Sequence, residues 1–345
     1  MSNKKRDITE HREAYKPFEY PELDQMASEI NHTYWIHDEI DFTRDKHEFL
    51  TELSEDERYV MGTILKTFTS TEMHIGSCLW SAIYKWMPKP EVYILGTTCA
   101  ENEVRHMKAY DKLNDVLGLT DYESFLEDEV ATERFENLMK VKLSEDGKPE
   151  IRDLMLTLAV FSGLAEYVNL FSQFMILSSF SSNGRNYLTN IYDIINWSGL
   201  DERAHAEAGF SLLNILKEEN PDQWDDEMQG KIYTAAILTY DIEKKLIDQI
   251  FLRGDLPNLT KKQIMNYMSY RINDSLVKMG LKPLKEVDPQ LLKEVQWFED
   301  GLTANSHSDF FAKRVTDYTK NLVAFTPDTT RVTKDYIKSL TRING

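Results

Sequence analysis

The stretch "LMLTLAVFSGLAEYVNLFSQFMILSSF", residues 154–180, carries a single charged side chain, Glu166. About 20 apolar residues suffice to cross a membrane. This stretch, however, also contains Thr157, Ser162, Asn169, Ser172, Gln173, Ser178 and Ser179, and no second stretch like it occurs. It therefore reads as a central helix buried by other helices. An unpaired ionised carboxylate in an apolar interior is very costly, so Glu166 must be protonated, paired or coordinated to a cation. A glutamate hydrogen-bonded in the core, or one facing a solvent cleft, also fits at this point.

The text around that helix is helical almost throughout. "SEDE" at 54–57 has the S-x-x-E form of a capping box, and a long periodic segment runs from it to "MPKP" at 87–90, where the prolines stop it. A second helix is expected from about Glu91 to "VLGL", capped by Gly118, and a third over roughly 121–142. Past the polar loop "SEDGKPE" comes the Glu166 helix, ended by "SSNGRN" at 181–186. A further helix reaches "EENPD", and two more are separated by "RGDLPNLT" at 253–260. No strand-like alternation with turn dipeptides appears. The expectation is an all-α fold of about eight long helices, with an irregular N-terminal arm at 1–33, a helical domain at 34–305 and a tail at 306–345.

Composition narrows the function classes. The 345 residues carry a net charge of −18 and no basic tract, which disfavours nucleic acid and anionic membranes as partners. The N-terminus has no apolar core of the secretory kind. The two cysteines, Cys78 and Cys99, form no CxxC pair and read as reduced, buried thiols of a cytoplasmic protein. With no P-loop and no G-x-G-x-x-G segment, nucleotide chemistry belongs on another chain.

Two short motifs carry the chemistry. "ENEVRHMKAY" holds Glu103 and His106, and "DERAHAEAG" holds Glu202 and His205, each pair spaced i, i+3. Residues so spaced project from one helix face and can bind one cation together. A single such pair is weak evidence. Two on separate helices fit the four-helix di-metal carboxylate arrangement, which also needs one carboxylate from each of two further helices. Glu166 answers for one. Glu72, in "FTSTEMHIGSCLW", answers for the other, as the only acidic residue between Glu57 and Glu91. His74 lies two residues on and so faces elsewhere. Four carboxylates and two imidazoles without thiolates suit two iron or manganese ions. Tyr110 follows His106 by one turn. It reads equally as a core aromatic or as a phenol able to lose an electron and a proton beside an oxygen-activating site.

Together, "YWIHDEIDFTRD", Glu72, "ENEVRHMKAY", "GLAEYVNLFSQF" and "LDERAHAEAG" resemble the small, radical-generating (beta) subunit of class I ribonucleotide reductase, in that family's order, from about residue 20 to the tail. The resemblance implies a ferritin-like helical bundle with a di-metal carboxylate site in its core. Glu72, Glu103 and His106 match the ligands of one metal, and Glu166, Glu202 and His205 those of the other. Tyr110 matches the radical-bearing tyrosine. Trp35 matches the tryptophan that begins long-range radical transfer, and Asp201 the aspartate linking it to His106. Read alone, Trp35 is also an aromatic anchor and Asp201 a solvated helix residue. Tyr318 is the expected tail relay, with Tyr336 its competitor.

The implied cofactor is two iron ions, with two manganese ions or a mixed pair as alternatives. The implied partners are a second copy of the chain and a large (alpha) subunit docked through the C-terminal tail. The chain would be active only with that subunit, which reduces ribonucleotides to deoxyribonucleotides. Rival readings are a stand-alone di-metal oxidase or oxygenase of the same bundle fold, and iron storage. The departures are Glu72 where many members carry Asp, and Leu200 where some carry Arg.

Overall fold

A computed structural model describes residues 6–119, 128–138 and 150–303. The chain divides into two compact units, Met1–Asp300 and Gly301–Gly345, and the account below concerns the first. The described residues are helical, with no strand beyond one isolated bridge between Leu256 and Leu259.

The elements are α1 (Pro21–His32), α2 (Thr43–Thr51), α3 (Glu55–Ile75), α4 (Ile83–Trp86), α5 (Pro90–Leu117), α6 (Glu129–Leu138), α7 (Ile151–Leu158), α8 (Leu170–Ser178), α9 (Thr189–Glu219), α10 (Asp226–Ile250), α11 (Lys261–Lys278) and α12 (Pro289–Glu294). Two π-helical segments interrupt them, Gly76–Trp80 after α3 and Ala159–Asn169 between α7 and α8.

The local signals explain most boundaries. At the start of α3, the Ser54 side chain accepts from the Glu57 N–H and the Glu57 carboxylate accepts from the Ser54 N–H. That satisfies two of the donors a helix start leaves free. Gly118 ends α5 at φ 75°, a left-handed conformation that glycine adopts without steric cost. The expected arm at 1–33 is not irregular throughout, because residues 21–32 form α1. Pro21 opens that helix, and Leu23, Ala27 and Ile30 make the apolar stripe it lays on α5. Nor does the segment from Ser54 to the prolines run as one helix, since the π turn at Gly76–Trp80 divides it.

The core is a bundle of four long elements. α3 packs on α5, α9 packs on the π segment and α8, and α5 meets α9. α10 and α11 cover the other side of the π segment. The apolar helix 151–178 is thereby enclosed, with 94% of its most apolar window buried, as a core helix is.

A π turn widens the helix and leaves carbonyls poorly matched to the ladder. Here side chains meet them. The Ser275 hydroxyl donates to the Gly163 carbonyl at 2.5 Å, and Arg271 Nε donates to the Tyr167 carbonyl at 2.8 Å. Arg271 is itself buried, its guanidinium sandwiched between the rings of Tyr167 and Phe171. The wide turn carrying Glu166 is thus held in place by α11.

Candidate metal centre

α3, α5, the π segment and α9 each send acidic side chains into the bundle interior. Glu72, Glu166, Glu202, His106 and His205 are fully buried, and Glu103 is 2% exposed. Ligand atoms of Glu72, Glu103, His106 and Glu202 all lie within 4.8 Å of one another, and so do those of Glu103, Glu166, Glu202 and His205. All six residues singled out by spacing and isolation therefore meet, in two overlapping groups that share Glu103 and Glu202.

The two Glu-x-x-His pairs face each other crosswise. His106 Nδ1 on α5 is 2.8 Å from Glu202 Oε1 on α9, and His205 Nδ1 on α9 is 2.9 Å from Glu103 Oε1 on α5. Glu72 Oε2 is 3.7 Å from His106 Nδ1, and Glu166 Oε1 is 3.9 Å from His205 Nδ1. The imidazole centroids are 6.0 Å apart.

Despite these short separations, both oxygens of Glu72, Glu103 and Glu202, Glu166 Oε2 and both Nδ1 atoms lack a hydrogen bond of acceptable alignment. Buried polar atoms in native proteins are nearly always satisfied. So many unsatisfied donor atoms converging in one dry place fit cations that would bind them all.

The electrostatics agree. Burial, together with the neighbouring Glu202 carboxylate, pushes Glu72 well above the usual carboxylate range, and burial does the same to Glu166. Burial would also raise Glu103, but the two imidazoles facing it hold it below that range. Burial disfavours charged imidazoles, yet His106 is pushed well up by Asp201 and Glu103, and His205 by Cys99 and the glutamates. Without metal, protons thus occupy the place of cations in a cluster of four carboxylates.

The His106 tautomer is set from behind. Its Nε2 lies 3.1 Å from Asp201 Oδ2, and the same oxygen accepts from Trp35 Nε1 at 2.8 Å. With Nε2–H directed toward Asp201, Nδ1 is the nitrogen that faces the cluster, where a cation would replace its proton, a common arrangement behind ligand imidazoles. The Trp35 ring lies nearly parallel to His106, 15° off at 5.8 Å. Asp201 and Trp35, predicted as a linked pair, are linked, and Asp201 is buried rather than solvated. Tyr110 is fully buried with its ring 4.8 Å from Phe68, and its hydroxyl has Ser198 as a polar neighbour but no hydrogen bond of acceptable alignment. Tyr318, Tyr336 and the side chain of His74 lie outside the described residues.

Three residues at the centre escaped the sequence reading. Trp80 donates Nε1–H to Glu166 Oε1 at 2.6 Å. Arg105 donates to the Trp35 carbonyl at 3.3 Å and places its guanidinium 5.6 Å from the Trp35 ring. The Trp197 ring lies 5.6 Å from that of Trp35, tilted by 43°. The i+3 spacing of Asn102 and Arg105, which are hydrogen-bonded on α5, was the one available hint for Arg105.

Known proteins share this arrangement of chain and fold. A probable ribonucleoside-diphosphate reductase small subunit of Invertebrate iridescent virus 3 is 27% identical over 326 residues, covering 90% of this chain and 85% of the relative. A putative class I ribonucleotide reductase of Bacillus halodurans has the same fold, with a TM-score of 0.73 at 20% identity, over 81% of this chain and 99% of that one. The dimanganese(II)-NrdF of Streptococcus sanguinis superposes with a TM-score of 0.66 at 16% identity, over 83% of this chain and all of that one. The family model for the small chain of ribonucleotide reductase matches residues 12–291. With that match running from α1 through α11 into the start of α12, and including every residue of the buried cluster, the chain belongs to the ribonucleotide reductase small-chain family.

Proposed function

We propose that this chain is the radical-generating subunit of a ribonucleoside-diphosphate reductase and holds two divalent ions. Glu72 and His106 serve one ion, Glu166 and His205 the other, and Glu103 and Glu202 reach both. The donor set suits iron, manganese or one of each, and the Streptococcus sanguinis relative is described as dimanganese(II). When bound, the ions supply the oxidising power, drawn from oxygen or a reduced oxygen species, that leaves Tyr110 as a phenoxyl radical.

The chain's own residues do the rest. Apolar packing around Tyr110 keeps water and reductants from its ring. The Trp35 indole N–H rests on Asp201 Oδ2, so when the indole gives up an electron its proton has a 2.8 Å path to that carboxylate and back. Asp201 at the same time orients His106. From Trp35 the oxidising equivalent passes by way of Tyr318 in the tail to a large subunit, where the nucleotide is reduced. Exposed Met73 on α3 and Tyr93 and Val104 on α5 offer apolar surface for a second copy of the chain.

The single observation that carries this reading is the His106–Asp201–Trp35 chain standing beside two overlapping ligand groups. A stand-alone oxidase or an iron store would use Asp201 to orient His106 but leaves the Trp35 indole on that carboxylate without a task. The test is reconstitution with Fe(II) in air, or with Mn(II) and a reduced oxygen species, followed by metal analysis, electron paramagnetic resonance and turnover with the large subunit. Tyr110→Phe is expected to keep two ions per chain and lose the tyrosyl signal. Trp35→Phe is expected to keep both ions and the signal but lose nucleotide reduction. Full turnover by Trp35→Phe would reject the route.

A further inference from the structure

The two halves of the centre are anchored differently. In one half the imidazole is held, His106 by Asp201, while both oxygens of Glu72 are free of hydrogen bonds. In the other half His205 Nε2 has no partner, and it is the carboxylate that is held. Trp80, 1% exposed, donates Nε1–H to Glu166 Oε1 at 2.6 Å, a short N–H···O bond. Its ring also stands 5.8 Å from that of His205, so one indole braces both residues peculiar to this half.

The brace is built into the backbone. Trp80 ends the π segment Gly76–Trp80, and Glu166 lies within the π segment Ala159–Asn169. Isolated π turns in helices frequently mark functional positions, because the extra residue re-aims a side chain. Gly96 on α5 lets that helix pass the Trp80 turn, since a Cβ there would stand 3.0 Å from the Trp80 carbonyl and 2.6 Å from Ile83 Cγ2. Trp80 thus has little room to withdraw from Glu166.

Resting on the two-ion reading above, we propose that Trp80 is a positioning residue for one half of the centre. By holding Glu166 Oε1, the oxygen 3.9 Å from His205 Nδ1, it fixes the orientation in which the Glu166 carboxylate faces its ion. The half served by Glu72 has no such restraint among its described contacts. The two ions are therefore bound unequally, and the Glu166 half depends on an N–H that never touches metal.

Direct Mn(II) binding to the full-length, metal-free protein tests this, with free Mn(II) followed by electron paramagnetic resonance. Trp80→Phe removes both the donor and part of the ring. Benzothienylalanine placed at position 80 keeps the ring shape and removes only the N–H. Far-UV circular dichroism checks that both variants are folded. The expected result is two ions on the wild type, and on both variants one ion at wild-type affinity with the second weakened about 10–100-fold, the usual cost of losing a partner behind a ligand. The proposal is overturned if the benzothienylalanine protein binds both ions as the wild type does, whether or not Trp80→Phe is impaired, or if it binds the second more tightly. If the wild type itself fails to take up two ions, it is the two-ion reading that fails, a distinct outcome.

Discussion

Glu103 and Glu202 each stand in both groups of four, whereas Glu72 and His106 belong to one group and Glu166 and His205 to the other. Removing a shared carboxylate and removing a private one should therefore differ in kind. Glu202→Ala is expected to leave less than one tightly held ion per chain after reconstitution, and Glu72→Ala about one, by elemental analysis of desalted protein. Equal loss in the two variants would mean the groups are not shared as the distances suggest. The six clustered residues were legible in the sequence because i, i+3 pairing and isolation of a charge in apolar text are local properties. Which carboxylates are shared was not, and dividing the six into two separate triads missed it. Trp80 was equally hidden. It meets Glu166 across 86 positions of sequence, and no spacing rule connects two residues on different helices.

At the scale of the element, the instructive case is the segment from Ser54 to the prolines, which reads as one helix and is in fact two separated by a π turn. Apolar periodicity reports which face is buried but not how closely two helices approach. Gly76 sets that approach, because a Cβ there would stand 2.8 Å from Glu103 Cβ. Gly76→Ala should cost about 1–3 kcal/mol in denaturant unfolding, the usual penalty for overpacking, and should weaken metal binding by displacing Glu103. Unchanged stability and metal content would show that the close approach is dispensable. The capping box, by contrast, was written in four consecutive residues and formed as read. Burial opposes the charge on Glu57, but the Ser54 N–H and hydroxyl and the Arg185 guanidinium overcome it and hold the carboxyl below its ordinary value of 4.5. A carboxyl lowered on folding adds stability above its unfolded value and loses it as pH falls through the folded one. Glu57→Gln should therefore be less stable than the wild type at neutral pH, and the gap should shrink as pH falls below the ordinary carboxyl value of 4.5 and through the lower folded one. A gap independent of pH, measured by thermal unfolding across that range, would assign the loss to packing instead.

For the whole molecule, the bundle places four carboxylates and two imidazoles in a core otherwise lined by side chains such as Phe68, Phe174 and Ile194. α-Helical periodicity alone would have built a more stable bundle with leucines at those positions. The fold therefore carries a built-in conflict, which protons offset in part and bound cations would offset further. A ligand that binds only the folded state stabilises it by RT ln(1 + [L]/Kd), about 2.7 kcal/mol per site at 100 times Kd. Scanning calorimetry should then show the wild type melting several degrees lower after chelation and anaerobic desalting, and recovering when Mn(II) or Fe(II) is returned. Glu202→Ala supplies the complementary measurement. It removes one carboxylate from the cluster, so its metal-free form should melt no lower than the metal-free wild type, while its midpoint should barely respond to added metal. A wild-type midpoint indifferent to chelation and to added ions would mean that the buried cluster is satisfied by protons alone, and the di-metal assignment would fall with it.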